Sequence, residues 1–259
     1  MASAPEANLP LFYKDLMPLN SRDHSGYRAR SVDRADWAQN QHALPLTVDE
    51  FAQAQRFFPI VFSMGDKPVP LALMGLNEGV NVFFDDDGKA REDFYVPAYI
   101  RRYPFLLAKL DPNTDNLSLC FDPSTDLVGE FEDGQALFDG EQASEHTKGL
   151  LAFCENFEQA GMRTQSFVEE LTKADLLMDG EVAIQRGAEE QPFIYRGFKM
   201  VNQEKLRELR GDQLRKWNEN GLLPLIYAHL FSLDLMRIIF AKQVAQGKGP
   251  AATAGAALN

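Results

Sequence analysis

Cysteine is nearly missing from this chain: Cys120 and Cys154 are the only two among 259 residues. Two thiols cannot build a disulfide framework, and neither stands in a Cys-x-x-Cys pair of the kind that grips zinc or exchanges disulfides. Both read as buried thiols of a reducing compartment. Histidine is almost as scarce, and His24, His42, His146 and His229 lie too far apart in sequence for a compact metal site, so neither a metal nor another cofactor is expected. Basic charge is short as well. Against 38 acidic residues stand 26 Lys and Arg, a net charge of -12. Proteins that hold phosphate backbones need clustered cations, so nucleic acid is not an expected partner. The chain also lacks a Gly-x-Ser-x-Gly elbow, a phosphate loop and a dinucleotide fingerprint, which leaves the familiar nucleophile and nucleotide chemistries without support. No internal repeat is present. Asp85-Asp86-Asp87-Gly88 fails the EF-hand spacing because the first ligand position falls on Phe83, and it reads as a solvated hairpin turn. The first residues carry no positive segment leading into an apolar run, so no secretory signal is read there and a cytoplasmic location is expected.

What is present suits a sizeable core. A hydrophobic content of 45% over this length fits one domain or two closely packed lobes. A single unit over residues 10–246 is expected, with flexible tails at 1–9 and 247–259. Leu11 to Leu19 has neither helical nor strand period and reads as an extended arm. Thr47-Val48-Asp49-Glu50 is a capping box, predicting a short helix near 48–57. The period then changes. Ile60–Ser63, Val69–Met74 and Val80–Phe84 predict a meander of short antiparallel strands, with Pro68 and Pro70 placing the second at an edge or at the start of a ladder. Phe105–Leu110 and Leu117–Phe121 predict two more strands, joined by the turn-rich Asp111–Asn116.

From about Glu141 the pattern is helical. Leu150, Phe153, Cys154 and Phe157 form one face that Gly161 is placed to stop, and Phe167, Val168, Leu171 and Ala174 form a second helix. A hairpin, Glu181–Arg186 with Phe193–Phe198, precedes a helix from about Gln203 that Gly211 can split. The last helix, 222–246, is apolar on nearly every side. Its charges Asp234 and Arg237, an expected i, i+3 ion pair, and His229 argue against a membrane span, so it reads as a buried central helix or as the surface through which two copies meet. The expected fold is α+β, an antiparallel sheet from the N-terminal half packed against helices of the C-terminal half.

The least ordinary stretch is Tyr95-Val96-Pro97-Ala98-Tyr99-Ile100-Arg101-Arg102-Tyr103-Pro104-Phe105, with four aromatics, two prolines and paired arginines in eleven residues. Pro97 suits a helix start, and Pro104 ends the turn. Two readings of the arginines stand. In one, Arg101 or Arg102 holds a carboxylate or phosphate bidentately in a cleft lined by Tyr99 and Tyr103. In the other, the arginines answer local acids such as Glu92 and Asp93 and brace the fold. His229 reads most simply as a satisfied core histidine.

These residues also carry a resemblance. Phe12-Tyr13, Pro18-Leu19-Asn20 with His24, Phe58-Pro59-Ile60-Val61-Phe62, the Tyr95–Phe105 stretch, Tyr195-Arg196-Gly197-Phe198 and Leu222 to Leu233 are together similar to the bacterial SapC family, over about residues 10–245. The resemblance implies association with surface-layer gene regions. It also implies neighbours such as TonB-dependent receptors, tryptophan-halogenase-like proteins and cupin-like proteins, and hence a role in uptake or modification of a nutrient or peptide. It brings no catalytic residues. The first expected function is a cytoplasmic accessory or ligand-binding protein whose partner is a protein or a small molecule, with a second copy of the chain as a further partner through 222–246. Its alternatives are an enzyme modifying a small acidic molecule or peptide, with Arg101 and Arg102 as binders and His24 or His229 as acid-base, and a surface-layer structural protein.

Overall fold

A computed structural model describes residues 9–110, 113, 116–185 and 192–249. All but Leu9 of the expected tail at 1–9, residues 250–259 of that at 247–259, most of the Asp111–Asn116 turn and the end of the expected Glu181–Arg186 strand lie outside the described residues.

In chain order the elements are β1 (Met17–Pro18), α1 (Ser21–His24), β2 (Arg28–Ala29), β3 (Ala43–Pro45), a 3-10 turn Val48–Glu50 leading into α2 (Phe51–Ala54), β4 (Ile60–Phe62), β5 (Pro70–Leu73) and α3 (Ala98–Arg101). Next come β6 (Phe105–Lys109), β7 (Leu117–Phe121), β8 (Val128–Gly129), β9 (Gln135–Ala136), β10 (Phe138–Asp139), β11 (Gln142–Ala143) and α4 (Glu145–Lys173). Last are β12 (Leu177–Ile184), β13 (Phe193–Val201), α5 (Gln203–Arg207), α6 (Gly211–Glu219), α7 (Leu222–Ser232) and α8 (Leu235–Ala245). The chain is thus α+β, and every pairing between these strands is antiparallel.

The chain divides into two compact units, each assembled from separated segments. Unit 1 takes the described residues up to Asp33 together with Ile100–Glu158, and unit 2 takes Arg34–Tyr99 and the described residues from Gln159 onward. Both crossings between the units that follow Tyr99 fall inside helices, at Tyr99/Ile100 of α3 and Glu158/Gln159 of α4.

Unit 1 has the small sheets β1-β7-β6 and β8-β2-β9. The expected arm docks through Met17–Pro18, which pairs with Cys120–Phe121. Ala29, Phe105, Leu107, Phe121, Val128, Leu137 and Cys154 form its core, with Leu150 and Leu151 from the first half of α4 packed against it.

In α4 the two expected helices are one, and Gly161 does not stop it. The apolar period continues through the glycine, with Ala160, Phe167, Val168 and Leu171 buried in register. A mid-helix Gly costs only ~1 kcal/mol against Ala, less than burial of that face returns.

Unit 2 is built on the five-stranded sheet β12-β13-β4-β5-β3. Two of its strands come from the C-terminal half of the chain. β5 is internal because β3 pairs with its other side, and Pro70 sits at its first position, opposite Phe62. The β12–β13 hairpin carries a bulge: Gly180 faces Phe198, yet Glu181 faces Arg196, so Gly197, at φ 91°, is the extra residue. This shift brings Tyr195 and Phe198 onto one face, stacked with ring centroids 5.4 Å apart. A third expected strand is absent. Residues 80–84 are irregular because the buried Asn81 amide donates to the Ala38 and Gln41 carbonyls and accepts from Phe83 N–H, replacing ladder bonds with side-chain ones. The Asp85–Lys89 turn is as expected, closed by Asp85 Oδ1 and by Gly88 at φ 76°.

The last apolar helix is two, α7 and α8, joined at Leu233–Asp234 by backbone bonds from Leu233, Met236 and Arg237 back to the third residue before each. Leu222–Ala245 is long and apolar enough to cross a membrane by length and composition, and it is only partly buried. It is not apolar and enclosed all round. His229, Ser232 and Gln243 are buried, whereas Phe231 is 69% exposed.

The continuity of α4 is checked by Gly161→Ala. Nothing lies within 4 Å of an added Cβ, so the variant is expected to be more stable by about 0.5–1 kcal/mol in urea unfolding. A loss of stability would contradict a helical backbone at Gly161.

Candidate ligand-binding site

The Thr47–Glu50 turn is where unit 2 concentrates its polar bonding. Glu50 is buried, and its two carboxylate oxygens divide the work. Oε2 accepts from Thr47 N–H at 2.9 Å and Thr47 Oγ1 at 2.8 Å, closing the box that the sequence predicts. Oε1 accepts from Ala98 N–H at 2.6 Å and from the Tyr95 hydroxyl at 3.1 Å. One carboxylate thus fixes both the turn and the start of α3.

The turn is pinned a second time from α4. Thr164 Oγ1 donates to the Ala160 carbonyl at 2.7 Å and accepts from Val48 N–H at 2.9 Å. Beside this junction lies a groove of about 740 Å³, within the range of small-molecule sites. Ala52, Met162, Phe167, Leu222 and Leu225 supply apolar wall. At its rim Arg163 meets Asp49 in a two-point pair, Nε to Oδ1 at 3.1 Å and Nη2 to Oδ2 at 2.5 Å. Both side chains are about half exposed, so the pair contributes little to stability, ~0–1 kcal/mol, and can be recruited by a ligand at low cost. No histidine or cysteine lines the groove.

The residues expected from sequence stand elsewhere. In unit 1, Arg102 is buried beneath Phe157, 4.3 Å from its ring centroid, and pairs with Glu158 at 3.6 Å. In unit 2, Glu92 pairs with Lys242. Arg101 lies over the Phe153 ring. Tyr103 meets Phe12 and Tyr13 edge to face and donates to Asp122 at 3.4 Å. Arg102 also lies near the Tyr13 ring, so Tyr13 brings Arg102 and Tyr103 together. His24 has its own setting: Nδ1 accepts from Asn20 N–H at 3.2 Å, and the ring packs on Tyr27 and Phe121. Cys154 lies in the same unit, its thiol pushed up to about 11 by burial, with the Arg102 charge pulling the other way.

Tyr99 and His229 belong to unit 2, and Tyr99 is buried there. His229 is the satisfied core histidine that the sequence suggests. Strands β4 and β13 share only the pairing Lys199↔Phe62, and His229 fills the gap beyond it. Its Nδ1 donates to the Ile60 carbonyl at 2.7 Å while Nε2 accepts from Val201 N–H at 3.1 Å. Ser232, one turn on, accepts from Ile60 N–H and donates to the His229 carbonyl. Burial pushes the ring down to about 4, against an opposing pull from the Ile60 carbonyl. Asp234 and Arg237, by contrast, do not form their expected ion pair, because no contact within 4 Å joins their charged groups. Among the described residues no group of three His, Cys, Asp or Glu side chains could hold a metal ion.

The groove itself went unread in the sequence. Asp49 and Arg163 are 114 positions apart, and no spacing rule links them.

A sequence model of the SapC family matches residues 19–238, most of the chain, and the chain belongs to that family. No curated protein and no solved structure matches it.

Two outcomes are expected. Glu50→Gln leaves an amide facing donors and should cost about 2–3 kcal/mol of stability, measured by denaturant unfolding; an unchanged midpoint would remove Glu50 from its central place. For His229, the unfolded ring takes its proton below about pH 6.5, the folded one only near 4. Between these values the unfolded state binds the extra proton, so stability present at pH 7 is lost as pH falls, by on the order of 3 kcal/mol. His42, also lowered by burial, adds to the same trend. His229→Gln should flatten the stability curve between pH 6.5 and about 4, and identical slopes would refute the assignment.

Proposed function

We propose that this SapC-family chain is a non-catalytic accessory protein. It binds a small amphipathic molecule or a peptide segment in the groove beside Val48–Ala52. The observation that carries this reading is the groove's lining: an apolar wall of Ala52, Met162, Phe167, Leu222 and Leu225, edged by the Asp49–Arg163 pair and by the Glu170 carboxylate. Such a lining holds a ligand by burying apolar surface and orients it by one polar end.

Other features support binding over turnover. His229 has both ring nitrogens committed to backbone groups, so it has no face for proton transfer. Arg102 pairs with Glu158 and packs on Phe157, which answers the structural reading of the arginines. Ser166, in the groove, donates to the Met162 carbonyl, and no histidine lines the groove with it. The association of the family with uptake and modification systems supports placing this binding in their service, in the cytoplasm.

The test is native mass spectrometry of the protein isolated at native expression, together with identification of co-purifying proteins. Wild type is expected to carry a bound small molecule or peptide. Ala52→Trp, a change at an exposed position of the wall, should empty the groove while the melting temperature stays within roughly 2 °C. A ligand retained by Ala52→Trp overturns the site, and turnover of a copurifying molecule overturns the non-catalytic role.

A further inference from the structure

The side of α7 and α8 that faces away from the sheet carries an ordered pattern. With about 3.6 residues per turn, Tyr227, Phe231, Asp234, Ile238, Ala241 and Ala245 fall on one stripe, and all six are exposed. The first half of the stripe holds two stacked aromatics, Tyr227 and Phe231, with centroids 5.8 Å apart. The second half holds two alanines. Asp234 lies between the halves, and the exposed Arg237 lies on the stripe's edge. Among the described residues neither charge has a partner: no hydrogen bond, ion pair or ring contact engages either side chain.

We infer that this stripe is the interface with a second copy of the chain, in an antiparallel arrangement about a twofold axis near Leu235–Met236. An isologous contact needs a surface complementary to itself under such a rotation, and the stripe has that property. Phe231 falls over Ala241 of the other copy, Tyr227 over its Ala245 and Asp234 over its Ile238, so each aromatic meets an alanine. Each Asp234 falls beside the other copy's Arg237, which supplies two ion pairs. A parallel arrangement would set aromatic on aromatic and Asp234 on Asp234, with like charges opposed. α7 and α8, of 11 residues each, supply two helical contact lines of about 16 Å apiece.

The same features argue for a second copy over a lipid surface. A helix that lies in a membrane interface carries its Lys and Arg around an apolar face. Here an acid sits mid-stripe, and Lys242 is engaged with Glu92.

The experiment is sedimentation of the full chain over a range of concentrations, with and without anionic phospholipid vesicles. The wild-type mass should be twice 29.1 kDa. Asp234→Arg should weaken the dimer roughly tenfold, since it replaces two attractions by two repulsions. Asp234→Arg with Arg237→Asp should restore it to within about threefold, a rescue that nonspecific apolar association would not give. Phe231→Glu and Ala241→Trp should each give monomer, and circular dichroism confirms that every variant is folded. A wild-type monomer at all concentrations overturns the inference, as does a dimer insensitive to these variants. Sedimentation of monomer with the vesicles overturns it in favour of a membrane surface.

Discussion

Everything in unit 2 near the groove depends on how a buried carboxylate is satisfied. Glu50 accepts four hydrogen bonds, two from its own turn and two from residues 45 and 48 positions away. A buried charge with fewer donors would cost several kcal/mol, so the Tyr95–Ala98 segment has to come to it. That demand accounts for part of what makes the stretch unusual. Tyr95 supplies a hydroxyl donor, and Pro97 precedes the N–H at Ala98 that a helix start leaves unbonded. The aromatic and proline content of the stretch thus serves an acid far upstream, and the groove inherits its wall position from the same turn.

The arginines of that stretch have a different duty. Arg102 is enclosed by Phe157, Tyr13 and Glu158, an arrangement in which the guanidinium is both stacked and paired. It neutralises an acid on α4 and fills space beside the core of unit 1. Arg102 is thus held by contacts within its own unit, while the groove is lined by residues outside that stretch.

Local chemistry was legible from sequence, and distant partnership was not. The capping box at Thr47 and Glu50 depends on neighbours within a few positions, and the two strands after Pro104 and the hairpin around Tyr195 each depend on the next strand along the chain; all are present, and the helix after Gln203 is split just before Gly211. The errors have physical causes too. Gly161 stayed helical because tertiary burial on both sides outweighed its propensity. Residues 80–84 have strand composition, but the Asn81 amide outcompetes a ladder for their backbone. Asp234 and Arg237 stand at helical spacing, yet the turn between α7 and α8 falls at Asp234 and the pair does not close. The Asp49–Arg163 rim and the second pair of Glu50 donors join segments whose approach only the folded chain specifies.

The bulge at Gly197 sets which face of the hairpin the Phe198 ring takes. Before the bulge, odd-numbered Phe193 and Tyr195 point inward; after it, even-numbered Phe198 does. The hairpin therefore runs in two phases, and the glycine is the point where the count slips. A lineage that lost that single residue would keep its composition and its strand propensity. It would nevertheless turn Phe198 to the opposite face, lifting it from its stack on Tyr195. Gly180 would then lose its reason to be a glycine, since an added Cβ there would come within 2.1 Å of the Phe198 ring. The two glycines are thus one specification written at two places, 17 positions apart, and neither is free to drift without the other.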